Sequence, residues 1–460
     1  MDTAVDLLVE AQFLYPMTDG MSVIEGAEVA IKADRIVYAG PARPSGTWQA
    51  KRRIDARAHA VMPGFVNAHC HAASVVFRSQ TDDPPGGITL YTIGFRGEPQ
   101  ISPPEWHDLA RVGALDMVKA GITTINDIYF EPDGLAQACL AIGLRAQLCD
   151  EIFDVKKENL AGGDYTRYPA IGEARLARSV EFTRRWHGAA DGRITTRLGP
   201  HAVDTCSPEL HRAIAAEARR LGVGLHIHAA QSAREVEVVR AMYGRSSLEH
   251  LAAHGVLGPD VVLAHMTFAS SEDLDAVRDA GALYAHCSTI YPRRGVYPNV
   301  PEIRARGIPM GLATDWMMND PFEAMRNLIN ALRLRTGRVD AMTTADALWF
   351  ATMGSARVLG LDAEIGSLET GKKADLVLLH LERPHLEPFY ADPASIVYYA
   401  RASDVVTSIV DGRVIMEDRK VVGIDEPAAL STARRHVPRF SALMKGLGGV
   451  SRLGCPCGGH

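Results

Sequence analysis

The chain has 460 residues, 47% of them hydrophobic and 23% charged, with a formal net charge of −6. This length exceeds one ordinary core, so we expect one large and one smaller domain. The mild acidity disfavours nucleic acid or an anionic membrane as partner, and no apolar run is long enough to predict a bilayer span. An acidic N-terminus and seven scattered cysteines predict a cytoplasmic protein without a disulfide framework.

Both ends of the chain have the pattern of short strands joined by tight turns. Strand-like runs at 7–15, 27–32 and 36–39 are matched late in the chain by 374–379, 405–410 and 413–416. Neither end is long enough to form a core alone, so residues 1–60 and 362–425 together predict a small β-sandwich domain. Residues 426–460 are predicted to form a C-terminal helix and a flexible tail. The tail ends in Cys455, Cys457 and His460; we favour disorder there over a soft-metal site.

Strand-like and helix-like segments alternate through residues 61–361. The predicted strands are 61–67, 122–128, 145–149, 195–198, 223–228, 261–265, 282–286 and 308–313. Amphipathic runs separate them, as in βαβ units. Eight such alternations predict an α/β fold of the (β/α)₈ TIM-barrel type, whose catalytic groups lie at the carboxyl ends of the strands. A bundle of long helices is the rival architecture, but the strand-like runs are too regularly spaced for it.

Polar residues that could perform chemistry follow nearly every predicted strand. They are His69, His71, Asp127, His201, His228, His265, His286 and Asp315. In the stretch His69-Cys70-His71, the two imidazoles share one face of a strand about 6.5–7 Å apart, and could bind one metal ion. A His-x-His pair alone is weak evidence, since His226-Ile227-His228 is a second one. Its place at the end of an early apolar strand strengthens the first pair.

Several motifs together resemble the amidohydrolase superfamily over nearly the whole chain. The resemblance is to its branch of triazine hydrolases, guanine and S-adenosylhomocysteine deaminases, and phenylurea and thiocarbamate hydrolases. The motifs are PGFVNAHCH at 63–71, GPHAVDTCSPEL at 199–210, LHIHAAQSAREVE at 225–237, VVLAHMTF at 261–268, AHCSTIYPRRG at 285–295 and GLATDW at 311–316. The resemblance implies the same barrel and sandwich.

The resemblance implies one divalent metal ion held by His69, His71, His228 and Asp315. This donor set suits Zn²⁺ best, and Fe²⁺ or Co²⁺ would also fit. Dinuclear relatives carry a carboxylated lysine after the fourth strand; residues 195–201 contain no lysine, so we predict a mononuclear site. His226 competes with His228 as third histidine ligand, and we favour His228 because it heads the family's His-x-x-acid motif.

The resemblance also implies roles around the metal. Asp315 and His265 would orient a water molecule and move its protons, and His201 would hydrogen-bond a heteroatom of the substrate. His286 could contact either the substrate or Asp315. Phe77, Tyr291 and Trp316, with Tyr91, Phe95 and Tyr297, would line an aromatic pocket beneath a lid formed by residues 72–104. Arg96, Arg293 and Arg294 are predicted to be solvated rather than to bind an anionic substrate.

One departure from the family pattern bears on the reaction. Deaminases of this branch place a glutamate three residues after the third histidine, where it protonates a ring nitrogen. Gln231 stands there in this chain and has no proton to give, although its side chain can hydrogen-bond the substrate. Glu235 and Glu237 follow and are predicted to be exposed carboxylates of a helix. Ser288 and Tyr291 also replace the usual Pro and Asn of the seventh loop.

These departures favour a carbonyl centre, which needs no ring protonation. We therefore predict a metal-dependent hydrolase of a small, largely apolar amide, urea, carbamate or thiocarbamate. The alternative is an aminohydrolase or chlorohydrolase that acts on an N-heteroaromatic ring such as a triazine or a purine-like base. A non-catalytic scaffold is disfavoured because all four proposed ligands are present. The resemblance suggests a homodimer or larger homo-oligomer.

Overall fold

The computed structural model describes residues 3–18, 20, 22–82 and 90–448. Its strands are β1 (Ala4–Leu14), β2 (Ile24–Lys32), β3 (Arg35–Pro41), β4 (Gln49–Pro63), β5 (Phe65–His71), β6 (Ile122–Tyr129), β7 (Arg145–Ile152), β8 (Ile194–Thr196), β9 (Gly199–Pro200), β10 (Leu225–Ala229), β11 (Val261–His265), β12 (Leu283–Cys287), β13 (Met310–Ala313), β14 (Asp315–Trp316), β15 (Leu376–His380), β16 (Val405–Val410), β17 (Arg413–Glu417) and β18 (Lys420–Val421).

The α-helices are α1 (Phe95–Gly97), α2 (Pro103–Lys119), α3 (Pro132–Ile142), α4 (Pro169–Trp186), α5 (Pro208–Leu221), α6 (Ala233–Tyr243), α7 (Ser247–Ala253), α8 (Ser271–Ala280), α9 (Ile290–Arg293), α10 (Val300–Ala305), α11 (Pro321–Thr336), α12 (Thr344–Trp349), α13 (Ser355–Val358) and α14 (Glu426–Gly446). Local sequence sets many of their starts. In α2, for example, Ser102 and Glu105 form a capping box, and in α5 the Ser207 side chain accepts from the backbone N–H of Leu210.

The central strands form a closed parallel barrel. β5, β6, β7 and β8 pair in that order, as do β10, β11, β12 and β13. Bridges at Leu198–Leu225 and Ala202–His228 join the two halves on one side, and β14 pairs with β5 on the other. Every residue of β5, β6, β7, β10 and β11 is buried, as expected for strands covered on both faces. The predicted TIM barrel is confirmed.

The first barrel strand begins later than predicted. β4 runs through Pro63 and belongs to the terminal sheet, and β5 begins at Phe65. Gly64 separates them at a point where a Cβ would lie 2.0 Å from Oγ1 of Thr123, so only glycine fits. This break places His69 and His71 inside the barrel strand, at its carboxyl end.

The second sheet combines both ends of the chain, as predicted. Its eight strands run in the order β18-β17-β16-β15-β4-β1-β2-β3, and β1 pairs in parallel with β4. Buried apolar residues from both ends, such as Leu7, Val29, Leu376 and Ile409, form one core of this sheet. The exact domain borders stay predictions.

The predicted C-terminal helix is α14, which begins after the capping residue Asp425 and packs Phe440 and Met444 against the main core. The predicted tail and its Cys455-x-Cys457 pair lie outside the described residues, as do residues 83–89 of the predicted lid. The rest of that lid contains short helical turns, among them Leu90–Gly94 and Glu98–Gln100. In the described ranges, no helix is both long and apolar enough to cross a bilayer.

Candidate metal centre and active site

The carboxyl ends of the barrel strands surround one cavity of about 420 Å³, counted with its open mouth. His71 ends β5, His228 lies near the end of β10, and His265 ends β11. Asp315 opens β14 directly after the last barrel strand. The lining residues are His71, Leu90, Phe95, Glu98, Tyr129, Glu151, His201, His228, Gln231, His265, Ile290, Tyr291, Arg294, Asp315 and Trp316. The structure thus brings most of the predicted site residues into one space.

His71 and His228 are held so that their Nε2 atoms face each other. Nδ1 of His71 donates to the carbonyl oxygen of Ile128 at 2.6 Å, and Nδ1 of His228 donates to that of His201 at 2.5 Å. Each Nε2 therefore carries a lone pair, and the two atoms lie 3.3 Å apart. Two lone pairs at this separation repel each other unless a cation lies beside both.

His69 adds a third imidazole to this arrangement. Its Nδ1 pairs with Nε2 of His226 at 2.8 Å, whereas its fully buried Nε2 makes no hydrogen bond within the described part of the chain. That free Nε2 lies 3.4 Å from Oδ1 of Asp315. His226 therefore supports His69 from outside the cavity, and His228 is the member of the second His-x-His pair that faces the ligand atoms.

Asp315 lies at the centre of the cluster. Its Oδ1 is 3.6 Å from Nε2 of His71, and its Oδ2 is 3.8 Å from Nδ1 of His265. Burial raises the pKa of the Asp315 carboxyl, and burial lowers the pKa of the imidazoles, in His69 to about 3. The neutral imidazoles are therefore free to act as metal ligands at neutral pH.

The backbone is strained at two of these positions. His265 has a φ of +80° and Asp315 a φ of +63°, in the left-handed region that non-glycine residues rarely adopt. The end of the last strand is fixed by Asn67, whose side chain donates to Oγ1 of Thr314 and accepts from its backbone N–H. Such strain persists only where surrounding contacts hold it, and it is frequent at active sites.

These donors fit a divalent metal ion. Ligand atoms of His69, His71 and His228 lie within 4.8 Å of one another, and so do those of His69, His265, Cys287 and Asp315. The unpaired Nε2 of His69 and the opposed Nε2 atoms of His71 and His228 are the observations that call for a cation. Three imidazoles and a carboxylate suit Zn²⁺, and the number and kind of ion stay predictions.

Gln231 lines the cavity, and its buried Nε2 has no hydrogen-bond partner among the described residues. Its backbone is held from two sides, because the Gln231 N–H donates to Glu235 and the Gln231 carbonyl accepts from the hydroxyl of Tyr291 at 3.0 Å. Glu235 also accepts from the N–H of Ala230, at 2.7 Å, where φ is +47°. The prediction that Glu235 is exposed is wrong: it is fully buried, because these backbone donors need an acceptor, whereas Glu237 is exposed as predicted.

The wall of the cavity around His201 carries charged groups that the sequence analysis missed. The ammonium of Lys157 lies 2.8 Å from Oε2 of Glu98 and 2.8 Å from Oε2 of Glu151. All three side chains are at most 3% exposed. Glu151 follows the predicted strand end at Cys149; β7 extends to Ile152, so a longer strand would have placed Glu151 at the barrel mouth.

Four predicted contact residues are not among those that line the cavity: His286, Phe77, Tyr91 and Tyr297. The ring nitrogens of His286 are engaged by the hydroxyls of Tyr284, at 2.7 Å, and Tyr297, at 2.6 Å. Phe77 is buried behind Trp316, with ring centroids 5.0 Å apart. His286 therefore packs beside the seventh strand, and Phe77 supports Trp316 from behind.

The predicted arginines differ in their surroundings. Arg293 pairs with Asp82 at 3.1 Å, and Arg96 is exposed. Arg294 lines the cavity, and its backbone N–H donates to the carbonyl of Tyr291 at 2.9 Å. Within the described part of the chain its guanidinium forms no hydrogen bond or ion pair.

Comparison with known proteins agrees with this geometry. The profile of the amidohydrolase family matches residues 60–415. A 5-methylthioadenosine/S-adenosylhomocysteine deaminase of Symbiobacterium thermophilum is 38% identical over 424 residues, 90% of this chain and 94% of the relative. A 5'-deoxyadenosine deaminase of Methanosarcina acetivorans is 33% identical over 435 residues, 93% of this chain and 97% of the relative.

A crystal structure of an adenosine deaminase from Xanthomonas campestris with bound zinc is also similar, with a TM-score of 0.87 at 25% identity. It covers 96% of this chain and is itself covered completely. The match of the family profile over most of the barrel, and the extent of these similarities, show that the chain belongs to the amidohydrolase family.

Proposed function

We propose that this hydrolase removes the amino group from the ring of an adenosine-like purine. The observation that carries the proposal is the 38% identity, over 90% of the chain, to a deaminase of 5-methylthioadenosine and S-adenosylhomocysteine. The comparisons favour this reaction, predicted as the alternative, over the predicted hydrolysis of an amide, urea, carbamate or thiocarbamate.

His69, His71, His228 and Asp315 would hold the metal ion. When bound, a divalent ion lowers the pKa of a water molecule so that it can attack carbon at neutral pH. The Asp315 carboxylate, 3.8 Å from His265, is placed to accept the proton that this water releases. The buried His265 ring lies beside the same carboxylate and would relay that proton to the departing amine.

Gln231 would orient the ring, and His201 would bind another heteroatom of the substrate. The unpaired Nε2–H of Gln231 points into the cavity and can donate to a ring nitrogen as negative charge develops there. An amide stabilises this charge but cannot neutralise it with a proton. The chain is therefore expected to turn over a ring amine more slowly than an enzyme with a carboxylic acid in this position.

A second candidate keeps the predicted carbonyl substrate, and Gln231 is the observation that favours it. A carbonyl oxygen needs only polarisation, which an N–H donor and a metal ion can provide. The two reactions thus differ in whether residue 231 must transfer a proton.

Turnover of defined substrates tests the proposal. The zinc-loaded protein should release ammonia from at least one of adenosine, 5'-deoxyadenosine, 5-methylthioadenosine and S-adenosylhomocysteine, with the inosine-type product identified by mass spectrometry. Phenylureas, carbamates and anilides form the second arm. Cleavage in the second arm alone would contradict the proposal and support the carbonyl substrate.

The variant Gln231→Glu tests the role of residue 231. It should raise the rate of ring deamination by about tenfold or more, because general acid catalysis contributes factors of this size. Hydrolysis of a carbonyl substrate should not rise. A gain on the carbonyl substrate without a gain on the purine would contradict the proposed function. The predicted homodimer or larger assembly stays a prediction, which light scattering of the purified protein can check.

A further inference from the structure

Glu151 and His201 present two hydrogen-bond acceptors to the same part of the cavity. Oε1 of Glu151 lies 3.9 Å from Nε2 of His201, too far for a direct hydrogen bond. Nδ1 of His201 lies 2.9 Å from Oγ1 of Thr205, whose hydroxyl donates to the carbonyl of Ala202. Nδ1 therefore carries the hydrogen, and Nε2 is left as an acceptor. Both residues line the cavity, and His201 is only 4% exposed.

The same wall carries a surplus of negative charge. One ammonium, that of Lys157, serves the two carboxylates of Glu98 and Glu151, and Tyr129 donates a hydrogen bond to the other oxygen of Glu98 at 3.1 Å. Among the described residues, no hydrogen-bond donor lies on the remaining oxygen of Glu151. Burial, more than any neighbouring charge, raises the pKa of Glu151 to about 7.

The charges behind this wall do not remove the surplus. Arg178 pairs with Asp150 at 2.6 Å and with Glu131 at 2.8 Å. Arg175 donates to the backbone carbonyl of Glu151 at 3.3 Å and stacks on Phe153. With these groups included, four carboxylates face three cations. A buried, uncompensated carboxylate is costly unless a ligand supplies positive charge or a donor.

We propose that Glu151 and His201 bind a protonated amino group of the substrate, at the part of the cavity wall where Lys157 pairs with Glu98 and Glu151. An ammonium has several N–H groups, so a single nitrogen can donate to both acceptors, whereas one hydroxyl has a single hydrogen. Its charge also balances the excess carboxylate. This deepens the proposed function, because the purine would carry an amine-bearing substituent and Glu151 would set the preference for it.

Two small ligands of equal length, one with an amino group and one with a hydroxyl, distinguish recognition of charge from recognition of shape. Their binding can be measured without catalytic turnover. Binding of 2-phenylethylamine and of 2-phenylethanol to the zinc-loaded protein can be measured by calorimetry at pH 8. The amine should bind about tenfold to a hundredfold more tightly than the alcohol, the range expected for a hydrogen bond to a charged group. In Glu151→Gln this preference should shrink to less than about threefold, since a neutral amide leaves no surplus charge.

Glu158→Gln is the matched control, because Glu158 is an exposed carboxylate one residue from Lys157 and does not line the cavity. It should keep the full preference. If Glu151→Gln does not fold, Glu98→Gln removes the surplus charge in another way and should reduce the preference in the same direction. Equal binding of both fragments, binding of neither, or a preference that survives both substitutions would overturn the inference. The proposed deamination has a separate readout. If it is wrong, the protein releases no ammonia from the purines even though it still binds the amine more tightly than the alcohol.

Discussion

Two groups of buried histidines can be compared: His69 and His228 at the barrel mouth, and the pair His211–His250 in the outer helical layer. All four side chains are at most 2% exposed. Both groups also leave ring nitrogens without hydrogen bonds. At the mouth, however, carbonyl oxygens fix the imidazole orientation and Asp315 lies within 4 Å. The rings of His211 and His250 are 6.4 Å apart, and guanidinium groups such as that of Arg167 act on both.

This difference separates a metal centre from a buried histidine pair. A cation is stabilised where neutral imidazole lone pairs and a carboxylate point at one position. It is opposed where guanidinium groups act on the imidazoles and, among the described residues, no carboxylate lies within 4 Å to offset them. Burial and free nitrogens alone therefore do not identify a ligand, and the substitutions below test this distinction.

The largest expected effect is on turnover, from Asp315→Asn. The amide keeps the shape but loses the charge that faces the cation and the site that accepts the water's proton, so the rate should fall about a thousandfold or more. Asp340→Asn is a suitable control, because Asp340 is exposed and pairs with Arg338. Steady-state kinetics of both variants measure the effect; an Asp315→Asn enzyme within tenfold of the parent would contradict the assignment.

The second effect is on metal content. His228→Ala should lower bound zinc from one equivalent to well below half, whereas His250→Ala should keep it, because only His228 faces the other ligands. Metal analysis after dialysis gives the result. Chelation should also lower the melting temperature of the parent and of His250→Ala, since a bound ion stabilises the folded state, while His228→Ala should change little. Equal zinc loss in the two variants would remove the proposed distinction.

Glu235→Gln should have a smaller effect on turnover, about tenfold to a hundredfold, as for other residues that support an active-site group. Glutamine offers one acceptor where Glu235 accepts from two backbone N–H groups, so the turn that carries Gln231 should loosen. The exposed Glu237→Gln is the control. The loss should appear mainly in kcat with the metal retained; loss of metal instead would point to a general defect in folding.

The smallest effect concerns stability at acid pH. Burial lowers the pKa of His211 to about 3, so the unfolded chain binds a proton below about pH 6.5 that the folded chain does not. This contribution is present above pH 6.5 and is lost as the pH falls towards 3. Between pH 7 and pH 5 the parent should therefore lose about 2 kcal/mol more unfolding free energy than His211→Leu. Parallel stability curves from urea titrations would show that His211 is protonated in the folded state.

The sequence was sufficient to predict the barrel and the convergence of the proposed metal ligands at one of its mouths. Parallel strands put their carboxyl ends at one mouth, so residues that follow different strands, such as His71, His228 and Asp315, must converge. His-x-His spacing and the strand-end rule needed no knowledge of side-chain packing.

The ion pairs of the cavity wall could not be predicted from strand ends and residue spacing. Lys157 lies on a turn after β7, and Glu98 comes from the predicted lid, so nothing in their spacing indicates contact. The apolar pattern ended at Cys149, which left Glu151 outside the predicted strand. Glu235 was wrongly predicted to be exposed, because a carboxylate on a helix is usually solvated. Here it is buried because it accepts hydrogen bonds from two backbone N–H groups. His286 follows its strand end as expected, but its ring is engaged by two tyrosines that the sequence does not place.

The most direct test of the metal centre is anomalous diffraction at the zinc edge from crystals of the zinc-loaded protein. We expect one strong peak about 2.0–2.1 Å from Nε2 of His69, His71 and His228 and in contact with the Asp315 carboxylate. A peak at His211 and His250 instead, or none between these four side chains, would contradict the account.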